Sequence, residues 1–236
     1  MADNLIHAGK EVTLIEALNQ VMAPLDYEMA QILHQNIKSH GVNLILSDGV
    51  NSFVEEDNKI RIELKSGKKV NADLVILAIG VRPNSKLAKE AGLKLNERGG
   101  IIVDEHMRTE DPSIYAVGDV IEVEDFVFKG RAMVPLAGPA NKQGRILADV
   151  LAGRNSTYKG TQGSSIDKVF DLTVASTGVN EKTLIKNNMK KGVDYESLII
   201  RQNSHAGYYP GATPMFIKLI FSLKNEKILG AQIVGI

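Results

Sequence analysis

The sequence predicts an α/β chain built on partial open parallel sheets, followed by an α+β domain. Three observations lead there. Glu11–Glu16 is a β-branched run that ends in an acid, and Asp73–Gly80 is a continuous apolar run that ends in glycine, as a strand covered on both faces does. Ile114-Tyr115-Ala116-Val117-Gly118-Asp119-Val120 reads as a third buried strand, ending in a Gly-Asp turn. From Phe216 onward the apolar residues instead alternate, which marks a half-buried antiparallel hairpin.

Taken in order, Met1 to Ala8 reads as the end of an amphipathic helix closed by Gly9. Glu11–Glu16 is then a strand ending in an acid. In a dinucleotide-binding βαβ unit such an acid lies about 20 residues after a Gly-x-Gly-x-x-Gly loop and bonds the adenosine ribose. Counting back from Glu16 puts that loop ahead of Met1. The sequence is therefore expected to begin inside the first helix of a Rossmann-like unit. Glu16 favours NADH over NADPH, because a 2′-phosphate beside a carboxylate is repelled. Leu25–His40 carries Met29, Ile32, Leu33 and Ile37 at helical spacing and ends at Gly41. Val42–Leu46 is the next strand. Asn51–Val70 alternates around a Ser66-Gly67 turn as an antiparallel excursion. Asp73–Gly80 follows as a buried parallel strand.

Leu87–Ala91 is a short helix, and Gly99-Gly100 turns into Ile101–Asp104. Asp111-Pro112-Ser113 reads as the turn into the strand at Ile114. Gly118 lets the backbone come close to a ligand, and Asp119 offers a carboxylate to a ligand hydroxyl. A helix runs from about Ala140 to Leu151, with Pro139 suited to its first turn. Amides at that end favour electron-rich or anionic ligand atoms. Strand, Gly-Asp turn and helix together make a ligand-binding edge of an open α/β sheet.

Thr109-Glu110-Asp111-Pro112-Ser113-Ile114-Tyr115-Ala116-Val117-Gly118-Asp119 resembles the second flavin-binding motif of the pyridine nucleotide-disulfide oxidoreductases. Gly80-Val81-Arg82-Pro83-Asn84 resembles that family's crossover from its nicotinamide domain to its flavin domain. The resemblance covers essentially the whole chain and implies FAD and NAD(P)H as cofactors. It implies that Asp119 bonds the ribitol chain and that Gly118 and Gly80 border the cofactors. It places Pro135, Leu136, Ala137 and Ala140 at a helix start under the flavin ring, where the dipole helps stabilise negative charge on reduced flavin. The implied domains are a partial NAD(P)-binding domain at 1–82, the C-terminal part of an FAD-binding domain at 83–155, and a dimerisation domain at 156–236. The implied assembly is a homodimer.

Arg154–Gly163 is polar and contains glycine, which suits a domain boundary. Beyond it, Lys168–Ser176 and Ser197–Arg201 read as strands, with a helix over about Glu181–Asn188 between them. Phe216–Ser222 and Ile228–Val234 form the hairpin, turning at Lys224-Asn225-Glu226. The sequence ends at Ile236 where the resembling family continues, so it is expected to be truncated at both ends. Ser204-His205-Ala206-Gly207-Tyr208-Tyr209-Pro210-Gly211-Ala212 resembles the coenzyme A-disulfide reductase branch, in which a tyrosine of this domain reaches across the dimer. Tyr208 or Tyr209 would then hydrogen-bond a sulfur-linked substrate or donate a proton, and His205 is a further catalytic candidate. The implied activity is FAD-dependent NAD(P)H reduction of coenzyme A disulfide or another small disulfide. An NADH oxidase or peroxidase of the same family, or a non-catalytic dimerisation fragment, are the alternatives.

Composition sets limits. Twenty-eight basic residues balance 28 acidic ones, so there is no electrostatic case for nucleic acid or an anionic membrane as partner. No apolar run is long enough to span a bilayer and no signal-peptide pattern is present; a cytoplasmic location is expected. His7, His34, His40 and His106 lack metal-ligand spacing, so no metal is expected. The sequence contains no cysteine, which excludes disulfides and any thiol chemistry by these residues alone. The redox cysteine required by the resemblance is therefore expected elsewhere. Without a first strand, Val12–Ile15 and Leu74–Ile79 are expected to lack a pairing neighbour.

Overall fold

The computed structural model describes residues 1–236. The chain divides into two compact units, one joining Met1–Ala78 to Ile166–Ile236 and the other comprising Ile79–Ser165.

The first unit opens with α1 (Ala2–His7). β1 (Thr13–Ile15) lies parallel to β2 (Asn43–Ile45), in the register Thr13↔Asn43 to Ile15↔Ile45. The helix between them, α2 (Tyr27–Ser39), buries Met29, Ala30, Leu33 and Ile37, the stripe its spacing predicts, while Ile32 stays half-buried. β3 (Val50–Glu56), β4 (Lys59–Leu64) and β5 (Lys69–Ala72) then form the antiparallel excursion, with Gly67 at φ +87° in the turn.

Leu74–Gly80 departs from expectation. It belongs to no strand, and Leu74, Leu77 and Ile79 are exposed, Ile79 by 89%. An apolar run specifies two faces to be covered, but a parallel strand exists only where a neighbouring backbone supplies its ladder. Likewise β1 has β2 on one edge and no strand on the other. Both observations agree with the expected lack of a neighbour.

The second unit contains α3 (Lys86–Glu90), then β6 (Ile101–Ile102), β7 (Ile121–Glu124) and β8 (Arg131–Ala132) in that order in one sheet, and α4 (Ala137–Leu151). Its core gathers Ala88, Ile101, Val103, Met107, Ile121, Val123 and Tyr158. Ile114–Val117 is not a regular strand as expected. A single bridge joins Tyr115 to Arg108, flanked by Thr109 N–H to Ile114 O at 3.0 Å and Ala116 N–H to Met107 O at 3.0 Å. The regular strand of this region is β7, which begins just after the Gly-Asp turn.

The remaining strands return to the first unit. β9 (Ser165–Val169), β10 (Leu172–Gly178), β11 (Tyr195–Asn203), β12 (Pro214–Ser222) and β13 (Ile228–Gly235) make a five-stranded sheet of order β11-β12-β13-β10-β9. α5 (Glu181–Lys186) lies between β10 and β11 in sequence. The expected single strand Lys168–Ser176 is thus two, divided at Phe170. That residue takes φ +55° and stacks on His40 at a centroid distance of 4.3 Å, so a core contact pins the turn. Where β10 meets β13, a Cβ on Gly230 would fall 1.9 Å from Val179 O, so only glycine fits the approach. Phe170, Leu172, Val174 and Val234 share one core with α2, which packs this sheet onto the β1–β2 segment. No helix is long and apolar enough to cross a membrane.

Candidate functional site

In the second unit the Gly118-Asp119 turn and the start of α4 come together. Gly118 takes φ +85°, and a Cβ there would sit 3.9 Å from Ala140 Cβ. Its N–H donates to Gln143 Oε1 at 2.7 Å. Gln143 is a polar side chain only 2% exposed on the inner face of α4, so it has exchanged water for this one acceptor role. Asp119, next along, is exposed and unpaired. α4 begins at Ala137, three residues before the expected Ala140, with Leu136 at its N-cap and no side chain capping it. Its first-turn amides are thus left for another acceptor. Pro139 lies in that turn and has no N–H to leave unsatisfied. Pro135 and Ala137 are exposed, and Leu136 and Ala140 half-buried. The arrangement offers a hydroxyl acceptor, an open glycine backbone and helix-start donors on one edge. Such a set suits a polar, electron-rich ligand lying against backbone.

Gly80 also falls in this unit, exposed and at φ +93°. Glu16, Tyr208, Tyr209 and His205 belong to the first unit. Glu16 sits at the end of β1, half-buried. Its N–H donates to Ile45 O at 2.9 Å, and its Oε1 accepts Leu18 N–H at 2.8 Å. Tyr208 and Tyr209 project from the loop between β11 and β12, 86% and 63% exposed, with ring centroids 5.6 Å apart. His205 is exposed beside them, its Nδ1 3.2 Å from Ser204 Oγ. Ser204 N–H donates to Thr213 O at 2.8 Å and closes the loop's base.

Sequence reasoning missed two features. Gln143 is the first. Its position with Ile146 and Leu147 at helical spacing on the inward face was the available signal. The second is a charge cluster in the first unit. Lys218 is completely buried, and its ammonium contacts Asp26 at 2.9 Å, Glu181 at 2.5 Å and Glu28. Acceptor oxygens of these three acids lie within 4.8 Å of one another, with the ammonium bonded to each. Burial alone would lower the Lys218 pKa, but hydrogen bonds to Glu181, Glu28 and Asp26 drive it above its usual range. Tyr195, buried and donating to Glu181 Oε2 at 3.2 Å, is pushed up to about 12 by its burial and that carboxylate. The alternation of β12 gave no warning, because Lys218 occupies an inward position where an apolar residue is the usual occupant.

Residues 1–144 match the family described as pyridine nucleotide-disulphide oxidoreductase, and residues 166–236 match the dimerisation domain of that name. The chain is 34% identical over 236 residues to the NAD(P)H sulfur oxidoreductase (CoA-dependent) of Pyrococcus furiosus, covering 100% of this chain and 52% of that protein. It is 34% identical over 234 residues to the coenzyme A disulfide reductase of Staphylococcus epidermidis, covering 99% and 51% respectively. The crystal structure of reduced Bacillus anthracis CoADR-RHD superposes with a TM-score of 0.94 at 54% identity, covering 100% of this chain and 41% of that one. The chain spans about half the length of the curated relatives it matches.

Proposed function

Since this chain belongs to the pyridine nucleotide-disulphide oxidoreductase family, we propose that it is part of an FAD- and NAD(P)H-dependent reductase of coenzyme A disulfide or a related small disulfide. The observation that supports this best is the Gly118-Asp119 turn held by Gln143 beside the uncapped start of α4. Its donors and acceptor fit the hydroxyls and the electron-rich ring of a flavin. Asp119 would accept a ribitol hydroxyl and Gly118 would leave room for the chain, while Pro135, Leu136, Ala137 and Ala140, at the α4 start, would help hold the flavin. Gly80 borders the same cofactor-binding half. Glu16 takes the adenosine ribose of the dinucleotide and favours NADH. Bound FAD would relay electrons from the nicotinamide to a disulfide. The thiol for that exchange comes from residues other than these, which include no cysteine.

The coenzyme A disulfide reading draws on the names of the relatives and on the Ser204–Ala212 loop. There the exposed phenols of Tyr208 and Tyr209 can donate to a sulfur-linked substrate, with His205 as a neighbouring proton carrier. The functional protein is a homodimer. The match to a dimerisation domain supports this, as do Leu198, Ile199 and Ile200 on β11, all exposed in the single chain. We retain the division into 1–82, 83–155 and 156–236 as nucleotide, flavin and interface portions. A consumer of reduced nicotinamide suits the cytoplasm.

The test is Asp119→Ala in the full-length flavoprotein. It should weaken FAD retention by about 1–3 kcal/mol, since a buried flavin hydroxyl loses its acceptor. Flavin absorbance after dilution and gel filtration reads this directly, and unchanged occupancy would remove Asp119 from the site.

A further inference from the structure

Between Glu16 and α2 runs a loop, residues 17–26, and hydrogen bonds fasten it at most of its positions. At its start Glu16 Oε1 accepts Leu18 N–H at 2.8 Å, and Leu18 O accepts Ser47 N–H at 2.8 Å. Buried Gln20 donates to Leu25 O at 2.9 Å. His34 Nε2 accepts Val21 N–H at 3.1 Å. An acceptor ring must be neutral, and burial, then Lys38, lowers the His34 pKa accordingly. Met22 takes φ +54°, a backbone that a side-chain-bearing residue keeps only when its surroundings impose it.

The loop's second half is held by the five-stranded sheet domain. Lys182 Nζ donates to Ala23 O at 2.8 Å and to Leu25 O at 2.7 Å. Asn180 Nδ2 donates to Pro24 O at 3.0 Å. Three successive carbonyls are thus taken by two side chains at the start of α5. Asp26 N–H donates to Gln232 Oε1, and the Asp26 carboxylate receives Glu181 N–H and Lys218.

A loop left loose would have to be ordered each time a nucleotide bound, and that cost lowers affinity. We infer that Lys182, supported by Asn180, is a positioning residue for the dinucleotide. From the sheet domain it holds the loop that orients the Glu16 carboxylate toward the adenosine ribose. The inference rests on the ribose role of Glu16 proposed above.

Lys182→Met in the full-length flavoprotein keeps the aliphatic stem and removes both carbonyl bonds. The KM for NADH should rise about three- to ten-fold, with kcat at saturating NADH changed by less than about two-fold and with flavin content and disulfide KM unaltered. Lys182→Arg keeps charged donors and should restore the NADH KM. Lys182→Gln, with a shorter neutral donor, serves if the methionine variant does not fold and should raise the same KM. An unchanged NADH KM in the folded variant overturns the inference, as does a loss of flavin and kcat together at constant KM. Glu16→Ala separates the two levels. If it weakens NADH binding while Lys182→Met does not, the positioning role falls and the ribose role stands. If Glu16→Ala leaves NADH binding intact, the ribose role fails, and the positioning role with it.

Discussion

Asp26 and Gln232, 206 residues apart in sequence, exchange two hydrogen bonds. Asp26 N–H donates to Gln232 Oε1 at 2.7 Å, and Gln232 Nε2 donates to Asp26 Oδ2 at 2.7 Å. Both residues are buried. Asp26 occupies the N-cap of α2, where an aspartate ordinarily accepts an amide of its own helix; here its side chain makes no such bond. It serves instead as the socket for β13, α5 and Lys218 of β12.

Gln232→Leu should therefore destabilise the first unit by about 2–4 kcal/mol, because it strands a buried amide and removes a donor from a buried carboxylate. Urea denaturation followed by circular dichroism measures the change. A loss under about 1 kcal/mol would mean that water or relaxation replaces both bonds.

The Glu181 carboxyl makes a prediction about pH. Burial acts to raise its pKa, but hydrogen bonds from Lys218 and Ser197 and the charges of Lys218 and Lys191 outweigh that and hold it at about 2, against 4.5 when unperturbed. The folded state thus binds fewer protons than the unfolded chain in this range. The resulting stability is complete above about pH 4.5 and is lost as pH falls toward about 2, on the order of 3 kcal/mol in all. Glu181→Gln should be less stable at neutral pH and show a shallower decline over that window. Parallel stability–pH curves for the two proteins would assign the acid sensitivity to other groups.

Gln143→Leu tests the support beneath the turn. It fills the same volume but leaves the Gly118 N–H without its acceptor, at a cost of about 1–3 kcal/mol. In the full-length flavoprotein, FAD should dissociate faster while Asp119 is still present. An unchanged flavin off-rate would show that the turn holds its shape without Gln143.

The isolated 236-residue chain should show no disulfide reductase activity, because it has no cysteine to enter thiol–disulfide exchange. NADH-dependent release of thiol from coenzyme A disulfide, followed with a thiol reagent, is the assay. Sustained turnover by the purified chain would contradict the proposed chemistry.

Much of the candidate site was legible in advance. Gly118, Asp119 and Pro139 are residue types whose backbone chemistry names a turn and a helix start without reference to anything distant. Glu16 was legible as a strand-end acid, and it lies just beyond β1. Gln143 was not singled out, because a glutamine at an inward helical position can serve packing, capping or a network, and periodicity does not choose among them.

By itself the sequence determined what is local: the buried stripe of α2, the Gly67 turn, the hairpin of β12 and β13, the Gly-Asp turn, and the absence of any thiol. Only the tertiary structure decided the partners. That Lys218 is buried among three acids and that Lys182 holds the carbonyls of Ala23 and Leu25 both depend on which backbones meet. Periodicity states which face of an element turns inward. A hydrogen bond or a strand ladder is a relation between two elements, and its energy is defined only once the chain has brought them together.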